Sequence, residues 1–224
     1  MKISAVVLGG GRGTRLGLAL PKQFIKLQDR PLFDYSVEKF LALKIDFIVA
    51  VLVTDFQKYY SPHPAISAIA PGGNTRQESV FNGLHICPED TELVIVHDSA
   101  RPFFPLKKVE QALKLLSDKL YDGLALALPA TDTLAEAQEG KVISFPDRRK
   151  IYHLQTPQLF HFKKILEAHR HLQGAGFTDD LSLAHSAGLR CGLIEGSPMN
   201  FKITSEVDWY LAERLLLSGG LEFI

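Results

Sequence analysis

The stretch Gly9-Gly10-Gly11-Arg12-Gly13-Thr14-Arg15-Leu16-Gly17 follows an apolar run at residues 3–8 and precedes Pro21-Lys22-Gln23. An apolar run of this length that ends in glycines predicts a buried strand. The glycines let backbone N–H groups turn inward around an anion, and Arg15 and Lys22 add positive charge. Neither G-x-G-x-x-G, typical of dinucleotide-binding loops, nor the Walker pattern G-x-x-x-x-G-K-S/T fits these residues. We therefore predict a phosphate-binding loop of a different type after the first strand.

The composition bounds the size and the partners of the protein. A chain of 224 residues with 46% hydrophobic residues can build one substantial core, so we predict a single domain over residues 1–224. Lys and Arg number 25, as do Asp and Glu, so the formal net charge is zero. This balance gives no electrostatic reason to expect binding to nucleic acid or to an anionic membrane. Any anion must be held by a local cluster of charges.

The cysteines and the amino terminus indicate the compartment. Cys87 and Cys191 lie far apart and outside any C-x-x-C spacing, which predicts free thiols and neither a zinc site nor a disulfide framework. The chain runs from Met1 directly into a strand-like segment, without the apolar region of a signal peptide. No stretch reaches the 18 or more apolar residues of a membrane span. We expect a soluble, cytoplasmic protein.

Apolar patterns alternate between strand and helix along the chain. Strands are predicted at residues 3–8, 47–53, 93–96, 123–128 and 189–194, with amphipathic helices between them. Helix starts are predicted at Asn74 or Thr75, within Thr178-Asp179-Asp180, and at Ser205 with Asp208 in capping-box spacing. Parallel strands need crossovers and are usually covered on both faces. The order therefore predicts an α/β fold of Rossmann-like type, a mostly parallel twisted sheet flanked by helices.

Polar residues that could bind a ligand or a metal ion follow several of the predicted strands. The turn Gly72-Gly73 precedes a helix, and His97-Asp98 follows the strand at 93–96. In open α/β sheets ligands bind at the carboxyl ends of the strands, so we expect these segments to meet there with Lys202. Mg²⁺ keeps waters and takes phosphate oxygens, so the single carboxylate of Asp98 is sufficient to bind it beside a phosphate loop. No histidine is predicted to be catalytic, and His97 is expected to support Asp98 structurally.

Residues 129–149 break the alternation of strands and helices. A polar segment, Thr131-Asp132-Thr133, is followed by Glu139-Gly140-Lys141 and then by the short apolar run Val142-Ile143. This pattern predicts a polar β-hairpin that protrudes from the body of the protein. An ordinary surface excursion is an equally good interpretation from these residues alone.

An ordered set of short motifs spans nearly the whole chain, and the set is specific although each motif alone is weak. The motifs are, in chain order, the glycine loop with Arg15, Pro21-Lys22-Gln23, Gly72-Gly73 with Arg76 and Ser79-Val80, His97-Asp98-x-Ala100-Arg101-Pro102, Asp132-Thr133, Asp147-Arg148, Gln155-Thr156-Pro157-Gln158, Thr178-Asp179-Asp180 and Asn200-x-Lys202-x-Thr204. This set resembles the 2-C-methyl-D-erythritol 4-phosphate cytidylyltransferases of the non-mevalonate isoprenoid pathway. The resemblance implies a fold of the nucleotide-diphospho-sugar transferase type.

The resemblance also implies a reaction. CTP and the sugar-alcohol phosphate would give CDP-methylerythritol and pyrophosphate, with an acceptor phosphate oxygen attacking the α-phosphorus. The nucleophile is already an anion, so positioning and charge stabilisation replace a general base. By resemblance, Arg15 and Lys22 stabilise the developing charge, and Arg148 and Lys202 orient the acceptor phosphate.

Further roles follow from the same resemblance. Asp98 would lie beside Mg²⁺ and the acceptor, and Thr133 and Thr156 would help to hold the acceptor. The glycines Gly9, Gly10, Gly11 and Gly13 would hold the CTP phosphates, whereas Gly72, Gly73 and Ser79 would contact the cytidine. In the family the hairpin is an arm exchanged across a homodimer. A dimerisation arm is therefore implied at about residues 132–150, with Arg148 serving the partner's active site.

Three positions depart from the family pattern, and two other functions remain open at this point. Ser99 replaces an alanine, Asn74 an aspartate and His185 a glutamate.

The alternatives are a ribitol 5-phosphate cytidylyltransferase and a catalytically silent nucleotide-binding regulator. Ala100 and the intact Thr178-Asp179-Asp180 favour the methylerythritol group over the ribitol group. The cationic residues Arg15, Lys22, Arg148 and Lys202 are all present, which argues against loss of catalysis.

Overall fold

A computed structural model describes residues 1–10, 21–53 and 55–218. The strands within these residues are β1 (Ile3–Gly9), β2 (Lys26–Leu27), β3 (Arg30–Pro31), β4 (Phe47–Leu52), β5 (Ala68–Pro71), β6 (Leu93–Asp98), β7 (Gly123–Pro129), β8 (Glu136–Gln138), β9 (Lys141–Ser144), β10 (Tyr152–His161) and β11 (Cys191–Glu195). The helices are α1 (Leu32–Ala42), α2 (Arg76–Ile86), α3 (Leu106–Ser117), α4 (Phe162–His171), α5 (Asp180–Ser186) and α6 (Glu206–Leu217).

Seven of these described strands form the main sheet, in the order β11-β7-β10-β6-β1-β4-β5. The first strand lies between β4 and β6 and pairs with both in parallel, with Val6 opposite Val49 and Val96. Outer strands β5 and β11 also pair in parallel, with β4 and β7. Strand β10 alone among them is antiparallel to its neighbours, β6 and β7. The predicted mostly parallel α/β sheet is therefore confirmed.

Side chains of β1 alternate between two core layers, as expected for a strand covered on both faces. Ala5 and Val7 pack with residues of α1 and α3, whereas Val6 and Leu8 pack with residues of α2, α4 and α5. A Cβ on Gly83 of α2 would lie 2.4 Å from Cγ1 of Val6, so this helix approaches the sheet closely. The apolar run at residues 3–8 thus forms the centre of the core, and its carboxyl end leads into the glycine loop.

The predicted helix starts are confirmed by side-chain caps. Thr75, rather than Asn74, caps α2 by accepting a hydrogen bond from the Glu78 N–H at 3.1 Å. Asp179 caps α5, and its Oδ1 accepts from the Ser182 N–H at 2.9 Å. At the start of α6, Ser205 and Asp208 form the expected capping box. These caps satisfy amide groups that lack a partner within the helix and fix where each helix leaves its preceding loop.

Strands β8 and β9 form a separate antiparallel pair outside the main sheet. We call residues 131–150 the arm; almost all of its side chains are exposed. At its base, the Ala130 N–H donates to the Ile151 carbonyl at 2.9 Å, which brings the two ends of the arm together. Residues 136–144 of the arm therefore form a β-hairpin separate from the main sheet.

The helices of the described residues are 7 to 12 residues long. Among the described residues, no helix has the length and apolar character needed to cross a membrane.

Cys87 is buried and Cys191 is half-buried, and both are free thiols. Burial raises the pKa of Cys87 to about 12 and that of Cys191 to about 11. Both thiols are therefore protonated and poorly nucleophilic near neutral pH.

Candidate active site

A cavity of about 300 Å³ opens at the carboxyl edge of β1 and β6. Its walls come from the end of β1, residues 22–23, residues 73–79 at the start of α2, residues 98–100 after β6, and Lys202. These segments are far apart in sequence, but the parallel pairing of β1 and β6 brings their carboxyl ends together. The cavity thus occupies the sheet edge at which the strand pattern predicted a ligand.

The predicted site residues divide into three groups. The first group lines the cavity: Gly9, Gly10, Lys22, Gly73, Ser79, Asp98 and Lys202. The second lies elsewhere in the described structure: Gly72 and Thr156 adjoin the cavity walls, and Thr133 and Arg148 are exposed on the arm. The third group, Gly11, Gly13 and Arg15, lies outside the described residues.

Asp98 connects two cations at the floor of the cavity. Its Oδ2 accepts from Lys202 Nζ at 2.6 Å, and its Oδ1 accepts from Arg76 Nε at 3.2 Å. The backbone N–H of Asp98 donates to Thr156 Oγ1 at 3.1 Å, which fixes the end of β6. Burial by itself would raise the pKa of Asp98, but the positive charges of Arg76 and Lys202 outweigh it and hold that pKa well below its ordinary value. The carboxylate is therefore ionised at neutral pH.

Arg76 is also paired on its inner side. Its Nη1 donates to Asp180 Oδ2 at 2.6 Å, and the other oxygen of Asp180 lies 3.2 Å from His169 Nε2. Burial would raise the pKa of Asp180, but Arg76 and His169 hold it below its ordinary value. An ionised carboxylate only accepts hydrogen bonds, so Nε2 is the protonated nitrogen of His169. From sequence, Arg76 belonged to a family motif without a role, and Asp180 belonged to a family motif and a predicted helix start but had no contact with the cavity.

Lys22 lies on another wall of the cavity, on a short 3₁₀ turn at Lys22–Phe24. Its Nζ donates to the Ile203 carbonyl at 2.5 Å, so it bridges to the loop that carries Lys202. The neighbouring Gln23 is buried, and its Nε2 donates to the Gly9 carbonyl. These two contacts tie the Pro-Lys-Gln segment both to the end of β1 and to the loop before α6.

The second glycine turn is shaped by Ser79. Its Oγ donates to the Thr75 carbonyl at 2.9 Å and accepts from the Gly73 N–H at 2.9 Å. A Cβ on Gly73 would lie 2.4 Å from Cγ of Glu78, whose carboxylate accepts from the Asn74 N–H at 2.7 Å. A side chain at position 73 would therefore displace Glu78 and open the turn. At position 74 the structure uses the backbone N–H, a contact that does not depend on the identity of that side chain.

Ser99, one of the three departures from the family pattern, joins β1 to the segment after β6. Its Oγ donates to the Leu8 carbonyl at 2.7 Å, and its N–H approaches the same oxygen at 3.1 Å. An alanine could make only the second contact. His185, the third departure, is exposed near the end of α5. The hydroxyl of Ser99 therefore adds a tie between β1 and the segment after β6 and leaves the cavity wall in place.

Motifs in the last third of the chain hold the loop that carries Lys202. Asn200 is buried, and its Nδ2 donates to Gln155 Oε1 at 3.1 Å and to the Thr156 carbonyl at 2.9 Å. Arg101 Nη1 donates to the Asn200 carbonyl at 2.7 Å. The Gln-Thr-Pro-Gln, Ala-Arg-Pro and Asn-x-Lys segments therefore meet in one hydrogen-bonded cluster. This cluster anchors the loop two residues before Lys202.

His97, the residue before Asp98 in β6, packs into the aromatic core. Its ring is fully buried and lies edge-on to Phe40 and Phe104, with centroid separations of 5.6 and 4.6 Å. Burial lowers the pKa of His97 to about 3. The imidazole is therefore neutral near pH 7, and it is buried and does not line the cavity.

The cavity combines the features that bind phosphorylated ligands. Amides of the glycine segments, the ammonium groups of Lys22 and Lys202, and one ionised carboxylate surround a space at the carboxyl edge of an α/β sheet. A fold and site of this kind define a nucleotide-binding transferase. Comparison with known proteins identifies its family.

The family model described as 2-C-methyl-D-erythritol 4-phosphate cytidylyltransferase matches residues 3–218. A curated relative of that name from Aquifex aeolicus is 41% identical over 215 residues, covering 95% of this chain and 97% of the relative. A second, from Desulforamulus reducens, is 34% identical and covers 96% of this chain and 95% of its own. The chain belongs to the 2-C-methyl-D-erythritol 4-phosphate cytidylyltransferase family and is a nucleotidyltransferase.

Solved structures agree with this assignment. The enzyme of the same name from Francisella tularensis aligns with a TM-score of 0.82 at 26% identity, covering 96% of this chain and 99% of that one. The enzyme from Thermus thermophilus aligns with a TM-score of 0.78 at 29% identity, covering 96% and 98%. The predicted family, its cytidylyltransferase activity in isoprenoid synthesis and its fold are therefore confirmed.

Proposed function

We propose that this chain transfers the cytidylyl group of CTP to 2-C-methyl-D-erythritol 4-phosphate in the cytoplasm, as a step in the synthesis of isoprenoid precursors. The products are CDP-methylerythritol and pyrophosphate. The observation that carries the proposal is the arrangement of Lys22 and Lys202 on the walls of one cavity, with Lys202 paired to Asp98 at its floor. Relatives that carry this activity in their names match the chain over almost its full length.

The reaction needs positioning and charge stabilisation more than proton transfer. A phosphate oxygen of the acceptor attacks the α-phosphorus of CTP, and a new P–O bond forms. The bond from the α-phosphorus to the bridging oxygen breaks, and its electron pair leaves with pyrophosphate. The attacking oxygen is already anionic, so no base has to remove a proton. The protein's contribution is then in-line placement and cations beside the pentavalent centre.

Each candidate residue has a place in this scheme. Lys22 and Arg15 offset the charge that develops at the α-phosphorus and on the leaving group. Lys202, Thr156 and Asp98 hold and orient the acceptor from the floor of the cavity. The glycine amides divide between the two parts of CTP: Gly9, Gly10, Gly11 and Gly13 contact the phosphates, and Gly72 and Gly73 with Ser79 contact the cytidine.

Asp98 is suited to hold a Mg²⁺ ion. A carboxylate has about four lone-pair positions. In the structure Arg76 Nε and Lys202 Nζ each approach one oxygen of Asp98. Mg²⁺ prefers oxygen ligands and takes few of them from protein when phosphates are present. When bound, the ion would neutralise phosphate charge, and the residues around Asp98 would set its place relative to Lys202.

We also propose that the chain acts as one domain whose arm, at about residues 132–150, packs against a second copy to form a homodimer. Val142, Ile143 and Phe145 are 57%, 58% and 70% exposed on the arm, which is costly for apolar side chains in water. Arg148 and Thr133 are exposed on the same arm, away from the cavity of their own chain. In the proposed dimer these two residues complete the acceptor site of the partner subunit.

A pyrophosphate-release assay with CTP tests the substrate assignment. The purified chain is supplied with Mg²⁺ and with either 2-C-methyl-D-erythritol 4-phosphate or ribitol 5-phosphate, side by side. We expect a kcat/KM for the methylerythritol substrate at least about 100-fold higher, because a site built to bind one polyol rejects another whose hydroxyl groups are misplaced. Preference for ribitol 5-phosphate would reject the assignment, and absence of turnover with both would reject the activity.

A further inference from the structure

Four polar contacts link five side chains in a line from the interior to the cavity. The line runs from His169 on α4 through Asp180 on α5, Arg76 on α2 and Asp98 on β6 to Lys202 in the loop before α6. The side chain of Asp180 is 2% exposed and that of Lys202 is 40% exposed. The line therefore connects a buried carboxylate with a cation that lines the cavity.

The inner end of this line is held firmly. Asp180 is the first residue of α5, directly after the Asp179 cap, and the Leu181 and Leu183 side chains that follow are in the core. Gln158 fixes the same helix end, because its Nε2 donates to Asp179 Oδ2 at 2.5 Å and its Oε1 accepts from the Leu181 N–H at 3.0 Å. Asp180 therefore has a position set by packing and by hydrogen bonds that are independent of any ligand.

Arg76 needs two carboxylates to hold its observed orientation. It is the first residue of α2, and its guanidinium donates through Nη1 to Asp180 and through Nε to Asp98. A planar guanidinium bound at two of its nitrogens cannot rotate without breaking one contact. If the contact to Asp180 were lost, Arg76 could turn into the cavity, whose wall it forms, and bind ligand phosphates.

Carboxylates and cations alternate along the line from Asp180 to Lys202. Asp98 and Asp180 carry two negative charges, and Arg76 and Lys202 carry two positive charges. Because Asp180 shares the charge of Arg76, the carboxylate of Asp98 remains available to Lys202. Without the charge of Asp180, Arg76 would lose one of the two carboxylates that fix its guanidinium and could leave Asp98, which would change the charge that Lys202 meets there.

We infer that Asp180 is a positioning residue for the proposed reaction: it holds Arg76 against Asp98 and thereby fixes Lys202 where the acceptor phosphate is oriented. The inference rests on the proposed function for its effect on turnover. The acidic pair after Thr178 therefore has two separate uses, since Asp179 caps a helix and Asp180 acts through Arg76 on the cavity.

The test uses Asp180→Asn, Arg76→Lys and the double variant in the full-length chain. Asparagine keeps the shape of Asp180 without its charge, and lysine keeps the charge of Arg76 but cannot contact both carboxylates with a planar group. Asp122→Asn is the matched control. Asp122 is a buried carboxylate paired with Arg190 and Lys164, and it precedes β7 at the opposite edge of the sheet.

We expect each single variant at positions 180 and 76 to lower kcat/KM for the acceptor by about 10- to 100-fold, the scale of a small misplacement of a reacting group. KM for CTP should change by less than about twofold, whereas a general loss of structure would raise both KM values. The kcat/KM of the double variant should be no lower than that of the less active single variant, because both changes break the same line of contacts. Asp122→Asn should lower the melting temperature and leave kcat/KM within about twofold.

Two kinetic results would overturn the inference. One is an acceptor kcat/KM for folded Asp180→Asn within about twofold of the wild type. The other is a double variant whose loss equals the product of the single losses, which would mean that the two residues act independently. If Asp180→Asn fails to fold, Arg76→Lys alone tests the inference. Its kcat/KM for the acceptor should fall while its KM for CTP stays within about twofold of the wild type.

A crystal structure of Asp180→Asn separates this inference from the proposed function. Arg76 should have moved so that its Nε is no longer within hydrogen-bonding distance of Asp98, and retention of the wild-type contact would contradict the inference. This readout does not depend on any substrate. If the wild type itself does not turn over CTP with the methylerythritol phosphate, the proposed function fails while the positional result still stands.

Discussion

Asp98 at the cavity floor contacts side chains from three other parts of the fold, whereas Arg148 on the arm donates to the Thr131 carbonyl, 17 residues away in the same arm. The cavity side chains are held in place by their own chain before any ligand arrives. The apolar side chains of the arm are more than half exposed at Val142, Ile143 and Phe145. The cavity is thus preorganised by contacts within its own chain. In the proposed dimer, the arm is held in place by contacts with a second copy.

The difference has a functional meaning if both regions serve one site. Fixed cations in a cavity stabilise developing charge without reorganisation during the reaction. An arm that completes the site from outside would link catalysis to assembly, because a separated subunit would lack the acceptor contacts of Thr133 and Arg148. The predictions below test the two regions separately, beginning with the cavity.

Lys22→Ala should produce the largest loss. Removing one preorganised cation from the charge that develops in the transition state costs about 100-fold or more in kcat. Steady-state pyrophosphate release at saturating substrates measures this loss, and circular dichroism verifies folding. Lys26→Ala, a change at an exposed lysine four residues away, is the control and should retain full activity. A kcat for Lys22→Ala within about threefold of the wild type would remove Lys22 from the mechanism.

Arg148→Ala should lower kcat/KM for the acceptor by about 10- to 100-fold, since an oriented phosphate contact would be lost. The melting temperature should stay unchanged, because exposed arginines contribute little to stability. Arg149→Ala is the matched control: Arg149 is also exposed on the arm and pairs with Asp147 beside it. Equal losses in both variants would show that the arm responds to charge in general and would contradict a specific role for Arg148.

Phe145→Ser should weaken the proposed dimer by about tenfold or more, as expected from removing a large apolar side chain from an interface. Sedimentation velocity across a dilution series gives the dissociation constant. Val207→Ser, at a residue of α6 that is 67% exposed, is the control. A monomeric wild type, or an unchanged dissociation constant for Phe145→Ser, would contradict packing of the arm on a second copy.

Acid should weaken the buried line of charges by a smaller amount. The pKa of Asp180 is lowered on folding from an ordinary value of 3.8, so the native state binds its proton less readily than the unfolded state. This contribution to stability is present above pH 4 and is lost as the pH falls below it. Between pH 6 and pH 3 the free energy of unfolding of the wild type should fall by about 1 kcal/mol more than that of Asp180→Asn. Urea denaturation at both pH values measures it, and equal falls would contradict the ionised state of Asp180.

Much of the fold could be predicted because its central strands are continuous apolar runs. The segment at 47–53 has no polar residue and the segment at 3–8 has only Ser4, and both form buried parallel strands. Strand β10 was not predicted, because Pro157 lies within it and proline lacks the N–H that a central strand uses. The sheet accommodates it with a register shift between Gln155 and Gln158. That adjustment depends on the neighbouring strands, which the local sequence does not reveal.

Part of the cavity lining could be predicted for the same reason. Asp98 and Gly9 end strands whose pairing follows from the α/β pattern, so their meeting at one edge could be expected. The contact between Arg76 and Asp180 joins residues 104 positions apart through side chains of two helices. No local pattern encodes such a pairing. The helix-cap interpretation of Thr178-Asp179-Asp180 was correct for Asp179 but gave no sign of the contact made by Asp180.

Mixing two inactive variants tests the central claim, that one active site combines the preorganised cavity of one subunit with the arm of its partner. Arg148→Ala and Lys22→Ala proteins are combined in equal amounts, subunit exchange is verified by mass spectrometry, and pyrophosphate release is measured. If the arm acts across the dimer, one site in each hybrid has both wild-type residues, and the mixture should regain about a quarter of wild-type activity. If activity stays at the level of the separate variants after verified exchange, the two regions do not form a shared site.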